Sequence, residues 1–297
     1  MHARILRYLD EVVRSGSIRA ASEKLHVAPS AISRQIKTLE EQVGAPIFHR
    51  GARDMTLTAA GELLMVHVRE TLREESRTLA QIEDLKGLRR GEVSLAIMSG
   101  LAGNVIPRSL AAFRKANPRV SLKVQLLPTG EAIMESVASG DADFGIGFDF
   151  PERFGLRIHT TSLAQLGAVM AAGHPLAARS SLRLSDCIAY PLILADQSMV
   201  IRPYLDHWLA PLRSSPEILA ETNSIEVMRE MASGSDGITF LTRFDVERDV
   251  AAGRLVLVPV QEFADRTQKL MVVGSERYAN AMANVYLETL KPMLAGG

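Results

Sequence analysis

The sequence predicts an α/β protein made of a small helical head, one long helix and a larger region in which strands and helices alternate. Three observations support this fold class. Apolar residues recur at helical spacing before residue 44, segment 58–88 keeps one helical period, and short apolar runs alternate with helical runs from residue 91 onwards. Such alternation indicates βαβ units around a mainly parallel sheet.

Composition limits the class of protein. The chain has 297 residues, 47% apolar and 23% charged, so it is long enough for about two domains and too apolar for disorder. Its single cysteine, Cys187, excludes an intramolecular disulfide and favours a reducing cytoplasm. Charges at Arg4, Arg7 and Asp10 argue against a signal peptide, and we expect no membrane span.

The first 44 residues predict three short helices. Ser17 is placed to cap the second, Ile18–Leu25, and Gly44 to end the third, Pro29–Val43, in which proline suits the first position. The expected buried face of the third helix is Ile32, Ile36, Leu39 and Val43. Two short helices joined by a tight turn, the second with a polar outer face, form the helix-turn-helix pattern.

The outer face of the third helix carries the candidate DNA contacts. Ser30, Ser33 and Arg34 lie in its first turns, where a recognition helix presents side chains to base edges, and arginine pairs with guanine. Lys37, further along, suits a phosphate. From spacing alone a solvated helix face fits these residues equally well. Residues 1–90 hold 15 basic against 12 acidic residues, a modest excess compatible with nucleic acid.

A turn-rich segment and a long helix follow. We expect a small hairpin at residues 48–57, with Arg50 and Arg53 facing phosphates or a minor groove. Thr58 is placed to cap a helix that runs to about Leu88. The apolar rows with heptad spacing are Met65, Leu72 and Leu79, and Val68 and Ile82. They favour a dimer seam, and the alternative is an amphipathic helix packed on its own domain.

Four segments of the head resemble the N-terminal signature of LysR-type transcriptional regulators. They are AASEKL at residues 20–25, SAISRQIKTLE at 30–40, GAPIFHR at 44–50 and LTAAG at 57–61. GDAD at 140–143, HPLA at 174–177 and Gly237-Ile238 resemble landmarks of the family's effector domain. The resemblance therefore implies an N-terminal winged helix-turn-helix, a long linker helix and a C-terminal two-lobed effector domain of periplasmic-binding-protein-like fold.

The resemblance also implies boundaries and partners. We expect the winged helix-turn-helix at 1–58, the linker and dimerisation helix at 59–90, and the effector domain at 91–297. Within the last, lobe I takes 91–161 and 265–297, and lobe II takes 162–264. The expected partners are double-stranded DNA, a small-molecule effector, further copies in a homodimer or homotetramer, and RNA polymerase. We expect no cofactor, no metal and a cytoplasmic location.

Within the head, Ser17, Arg19 and Pro29 complete the expected DNA-binding residues. Many family members carry glutamine where this chain has Pro29. Glutamine can read adenine and proline cannot, so Pro29 does not offer the base contact that glutamine would make.

Loops at the ends of predicted strands supply the candidate effector site. The residues are Ser99, Gly100, Leu101, Thr129, Phe148, Asp149, Gln197, Arg202, Thr222 and Asn223. Ser99, Gly100 and Leu101 begin a helix, whose free N–H groups favour an anion such as a carboxylate, and Arg202 offers a counter-charge. For each, capping or turn formation is an equally good explanation, since Thr129 precedes a helix and Asn223-Ser224 another.

Enzymes and solute-binding proteins are the competing classes. Gly145-Ile146-Gly147 lacks the third glycine of a dinucleotide fingerprint, and we find no phosphate loop, nucleophile elbow or metal-ligand spacing. A secreted solute-binding protein would begin with a signal peptide. We therefore predict a DNA-binding regulator that senses a small molecule.

Overall fold

A computed structural model describes residues 3–49, 55–85, 91–210, 216–276 and 280–295. The chain divides into two compact units, one ending at Arg90 and the other beginning at Gly91. The finer boundary at residue 58 stays a prediction. None of the described helices is long and apolar enough to cross a membrane.

The first unit contains the three predicted short helices. They are α1 (Ala3–Ser15), α2 (Ile18–Leu25) and α3 (Pro29–Val43). The Oγ of Ser17 accepts the Ala20 N–H at 3.1 Å and so caps α2. Gly44 ends α3 with a left-handed φ of 73°. Ile32, Ile36 and Leu39 are buried as expected, but the prediction for Val43 is wrong. It is 42% exposed because the last turn of α3 extends beyond the core.

The predicted hairpin is shorter than expected in the described residues. Phe48 and Leu57 form a single antiparallel bridge, and the His49 N–H donates to the Thr56 carbonyl at 2.9 Å. Phe48 is buried in the core of the head, which anchors this segment. The predicted turn at 51–54 lies outside the described residues.

The long helix α4 (Ala59–Leu85) begins where the sequence predicts. The hydroxyl of Thr58 accepts the Gly61 N–H at 3.0 Å and donates to the Pro46 carbonyl at 2.6 Å. It therefore caps α4 and fixes the preceding segment to it. The expected continuation to Leu88 lies outside the described residues.

The heptad row of α4 divides into two parts. Met65 and Val68 are buried in the head, and Leu72 is half-buried beside them, so the packing alternative holds for this part. Leu79 and Ile82 are 54% and 42% exposed. Met65, Val68 and Leu72 therefore pack within the head while Leu79 and Ile82 stay exposed, and pairing through α4 stays a prediction.

The second unit contains ten strands and seven α-helices among its described residues. The strands are β1 (Gly91–Ile97), β2 (Val120–Leu126), β3 (Phe144–Phe148), β4 (Leu156–Ala164), β5 (Leu166–Ala171), β6 (Leu192–Ala195), β7 (Ile218–Thr222), β8 (Thr239–Thr242), β9 (Leu255–Pro259) and β10 (Gln268–Ser275). The helices are α5 (Val105–Ala116), α6 (Gly130–Ala138), α7 (Leu184–Cys187), α8 (Arg202–Leu209), α9 (Ile225–Gly234), α10 (Arg243–Ala251) and α11 (Ala281–Ala295).

Lobe I is built on a five-stranded sheet in the order β2-β1-β3-β10-β4. The expected return of the last strand and helix to this sheet is confirmed, since β10 pairs with β3 and α11 packs over β1. The expected parallel pairing holds for β1 with β2 and β3, but β10 runs antiparallel to both of its neighbours. The sequence reading missed β4, a polar edge strand.

Lobe II contains an antiparallel sheet in the order β8-β5-β9 and the parallel pair β6-β7. A bridge between Leu192 and Ile238 joins the two sheets. The chain crosses between the lobes twice, from β4 to β5 and from β9 to β10. These crossings place the carboxyl ends of β1, β2, β6 and β7 beside the junction between the lobes.

Candidate nucleic-acid interface and effector cleft

The outer face of α3 is polar and exposed. Ser30, Ser33, Arg34 and Lys37 all lie on it, as expected from the burial of the opposite face. Within the described part of the chain, no carboxylate lies within ion-pair distance of Arg34 or Lys37. These cations are therefore available to an external acceptor such as a guanine edge or a phosphate.

The other expected DNA contacts of the head lie at helix starts or outside the described residues. Pro29 is exposed at the start of α3. The Arg19 side chain is 89% exposed and lies 3.7 Å from Glu23, a pairing that water and salt weaken. Ser17 is half-buried at its cap position. Arg50 and Arg53 lie outside the described residues.

Several predicted effector contacts gather where strands end. Ser99 follows β1, Thr129 follows β2 and Gln197 follows β6. Thr222 is the last residue of β7, and Asn223 follows it. Four of these side chains are exposed and Thr222 is partly exposed. Polar groups at the carboxyl ends of parallel strands are the usual lining of a cleft in such folds.

Two of these residues also have structural tasks. The Oγ1 of Thr129 accepts the Ala132 N–H at 3.1 Å and caps α6. At the start of α9 the cap is Ser224, whose N–H donates to the Oγ1 of Thr222 at 3.2 Å. The capping alternative thus holds for Thr129, while Asn223 does not cap through its side chain.

Two predicted contacts do not reach the cleft. Leu101 is fully buried and Phe148 is 7% exposed, and both pack in the core of lobe I. The N–H of Leu101 donates to the Met98 carbonyl at 3.2 Å, so its backbone is also engaged. Their chain positions predicted cleft residues, but both side chains point inward.

The prediction that Arg202 offers a free counter-charge is wrong. Its Nε lies 2.7 Å from Asp206, and its Nη1 lies 2.7 Å from both Glu221 and the Ala195 carbonyl. These partners raise the pKa of the guanidinium, and the side chain is only 14% exposed. Arg202 therefore joins the start of α8 to β6 and β7.

Gly100 faces a carboxylate of lobe II that the sequence reading missed. A Cβ added to Gly100 would lie 2.3 Å from the Oδ1 of Asp245, so a side chain would clash there. The Oδ2 of Asp245 accepts the Thr242 N–H and hydroxyl at 2.9 and 2.7 Å, and burial raises the pKa of this carboxyl. An anionic effector at Gly100 would meet this acid, so the carboxylate expectation receives no support from the site.

His174, in the HPLA motif, is buried inside lobe II. Its Nδ1 accepts the Leu176 N–H at 3.1 Å, and its ring lies 4.4 Å from that of Tyr190. Burial lowers its pKa below the usual 6.5. His174 therefore lies in a turn after β5 and has a structural role there.

We expect lobe II to lose stability as the pH falls below 6.5. A histidine whose pKa is lower in the folded than in the unfolded state stabilises the fold at pH values above its unfolded-state pKa. That stability is lost as the pH falls through the folded-state pKa. His174→Phe should reduce this acid sensitivity, measured as the urea midpoint of Trp208 fluorescence between pH 7.5 and 5. The control is His67→Gln in the head, and equal pH dependence of all three proteins would refute the prediction.

The fold and these sites define a DNA-binding regulator with an effector-binding domain. The chain belongs to the LysR family of bacterial regulators, in agreement with the resemblance. Residues 3–62 match the bacterial regulatory helix-turn-helix protein, lysR family, and residues 86–295 match the LysR substrate binding domain. The family comprises transcriptional regulators, so the chain is not an enzyme.

Relatives match nearly the whole chain. The "Probable RuBisCO transcriptional regulator" of Synechocystis sp. is 25% identical over 98% of this chain and 86% of its own. The protein of the same name from Gracilaria tenuistipitata var. liui is 27% identical over 95% and 93%. Two solved structures share the fold. Full-length CbnR complexed with its target DNA has a TM-score of 0.65, with 19% identity over 99% of this chain and 100% of that one. A full-length OxyR variant from Pseudomonas aeruginosa has a TM-score of 0.72, with 18% identity over 99% of this chain and 94% of that one.

Proposed function

We propose that α3 reads a specific DNA sequence in the major groove. The single observation that carries this is the exposed outer face of α3, where Arg34 and Lys37 lack acidic partners among the described residues. Ser30, Ser33 and Arg34 contact base edges in this proposal, and Lys37 contacts a phosphate. In this proposal Ser17, Arg19 and Pro29 at the helix starts add contacts to the DNA backbone, and Arg50 and Arg53 are expected to do the same.

We propose that a small-molecule effector binds between the lobes. The exposed polar groups at Ser99, Thr129, Gln197, Thr222 and Asn223 support this, because all five follow or end parallel strands. Gly100 contributes backbone only. An effector changes DNA binding only if it binds one arrangement of the protein more tightly than another.

We propose that the working form is a homodimer or homotetramer paired through α4. Exposed apolar side chains at both ends of this helix support the pairing, namely Leu63, Val66, Leu79 and Ile82. The paired heads then read two half-sites, as two-fold symmetric DNA-binding proteins do. RNA polymerase is the proposed further partner, and the cytoplasm, where bacterial DNA lies, is the proposed location.

The effector proposal is tested by uncoupling sensing from DNA binding. An operator duplex is enriched from random DNA by the wild-type protein, and an effector is found by a thermal-shift screen of small organic acids and amines. Ser99→Ala should raise the effector concentration that gives the half-maximal change in operator affinity by about tenfold, the value of one lost hydrogen bond. Affinity without effector should be unchanged. The control is Ser180→Ala, an exposed serine of lobe II away from these strand ends. Equal effector responses in both variants would show that the site is misplaced.

A further inference from the structure

Asp149 of lobe I is bound from both lobes at once. It follows β3, and its Oδ1 accepts the Lys269 N–H of β10 at 2.8 Å. Its Oδ2 accepts the hydroxyl of Tyr204 at 3.0 Å and the side-chain amide of Gln268 at 3.3 Å. Tyr204 lies on α8 in lobe II. The carboxylate thus joins the lobes beside the crossing from β9 to β10, and both its oxygens are engaged before any effector arrives.

The backbone of Asp149 is held in an uncommon conformation. Its φ is 52°, in the left-handed region, where aspartate is tolerated better than most residues. The Asp149 N–H donates to the Lys269 carbonyl at 2.9 Å, so main chain and side chain are fixed to the same residue. Such a conformation persists where the surroundings determine it, and this is typical of switch regions.

Tyr204 is a suitable donor for this contact. Burial and the neighbouring Asp149 raise its pKa to about 12, so the hydroxyl keeps its proton. Its ring lies 6.1 Å from that of Trp208, and the guanidinium of Arg266 lies 5.7 Å from the ring centroid. These contacts fix the ring independently of the hydroxyl. Removing the hydroxyl alone therefore tests the hydrogen bond.

Other contacts show that the lobes are closed on each other here. Phe244 of α10 is buried in the core of lobe I, with its ring 6.5 Å from Phe148. On α5, Arg108 lies 2.7 Å from Glu247 of lobe II. Opening the lobes would break these contacts together with the one at Asp149.

We propose that the Tyr204–Asp149 hydrogen bond latches the effector domain closed and that Asp149 is a closure contact between the lobes, not an effector contact. The latch itself depends only on the geometry of the two lobes, and its regulatory meaning rests on the proposed effector function. A broken latch raises the population of open domains, and an effector that binds closed lobes then binds more weakly. Tyr204 is thus a positioning residue for the cleft.

The test measures the distance between the lobes without any effector. Spin labels are placed at Glu131→Cys in α6 and Glu226→Cys in α9, both exposed, and labelled protein is diluted with unlabelled protein. Cys187 is buried and its thiol pKa is raised to about 12, so it does not compete for the label. Electron–electron double resonance should give one narrow distance for the parent. Tyr204→Phe and Asp149→Gly should add a longer-distance population.

The control is Tyr190→Phe, which removes the hydroxyl of another half-buried tyrosine in lobe II. It should leave the distances unchanged. If Tyr204→Phe does not fold by circular dichroism, Asp149→Gly decides alone. Distance distributions that superimpose on the parent would overturn the latch. Operator binding is measured on the same samples. If the parent does not bind the operator but Tyr204→Phe still adds the longer distance, the proposed function is refuted and the latch is retained.

Discussion

Arg34→Ala is expected to weaken binding to the selected operator by about fivefold to 150-fold. An arginine that pairs with guanine contributes about 1–3 kcal/mol of discrimination, and this range is the corresponding change in affinity. Arg34 is exposed on the outer face of α3, opposite the buried Ile32 and Ile36, so its removal leaves the core intact. Binding to random duplex should fall much less, because that binding depends on phosphates.

The measurement is fluorescence anisotropy with operator and random duplexes at several salt concentrations. Arg4→Ala is the matched control, since it removes the same charge from an exposed position on α1. Lys37→Ala should weaken binding to both duplexes alike. It should also reduce the slope of log affinity against log salt concentration by about one. Equal losses for Arg34→Ala and Arg4→Ala would contradict the assignment of α3 as the reading helix.

Gly61→Ala should destabilise the head severely. A Cβ at this buried position would lie 2.2 Å from the carbonyl oxygen of Ile47, and a backbone atom cannot move aside by changing rotamer. The same carbonyl accepts the Thr58 N–H at 2.9 Å, so the first turn of α4 lies directly on this segment. We expect a loss of about 3 kcal/mol, the upper end for overpacking. Glycine to alanine within a helix is otherwise favourable by about 1 kcal/mol, so the sign itself is informative.

Two probes localise this effect. The single tryptophan, Trp208, lies in the second unit, so its fluorescence in urea follows lobe II. Circular dichroism also follows the helices of the head. Gly61→Ala should lower only the circular dichroism midpoint. Gly234→Ala, at a position with open space around it, is the control and should be nearly neutral. A Gly61→Ala head as stable as the parent would refute the steric argument.

The helical head was predictable because local chemistry determines it. Ser17 caps α2, Pro29 begins α3 and Gly44 ends it, each through a backbone preference that acts within one turn. Val43 lies on the same helical face as Leu39 but beyond the core. Its exposure depends on which elements pack nearby, and periodicity within one helix does not contain that information.

The strands of the second unit were predictable only where they are buried. β3 is buried along its whole length and shows as an apolar run, whereas β4 is an edge strand rich in polar residues such as Thr160 and Ser162. The direction of β10 follows from its entry from lobe II. That is a long-range property, so the sequence predicted its return but not its antiparallel pairing.

The loops of the candidate site were predictable, whereas the partners of its side chains were not. Ser99 and Thr129 lie on loops after β1 and β2, as the strand pattern predicts, and their contact with an effector stays a prediction. The engagement of Arg202 and Asp149 depends on partners distant in sequence, such as Glu221 and Tyr204, and no local pattern shows it. Asp245 was missed for the same reason, because its closeness to Gly100 exists only when the lobes meet.

The proposed function requires that α3 lie in the major groove of a specific DNA site. An iron–EDTA reagent attached at Ser33→Cys tests it directly, because Ser33 is exposed while the native Cys187 is buried and resists labelling. On the selected operator we predict strand cleavage confined to a few base pairs in each half-site, and none for wild-type protein treated in the same way. Cleavage spread evenly along the duplex, or none at all while the operator is bound, would contradict the account.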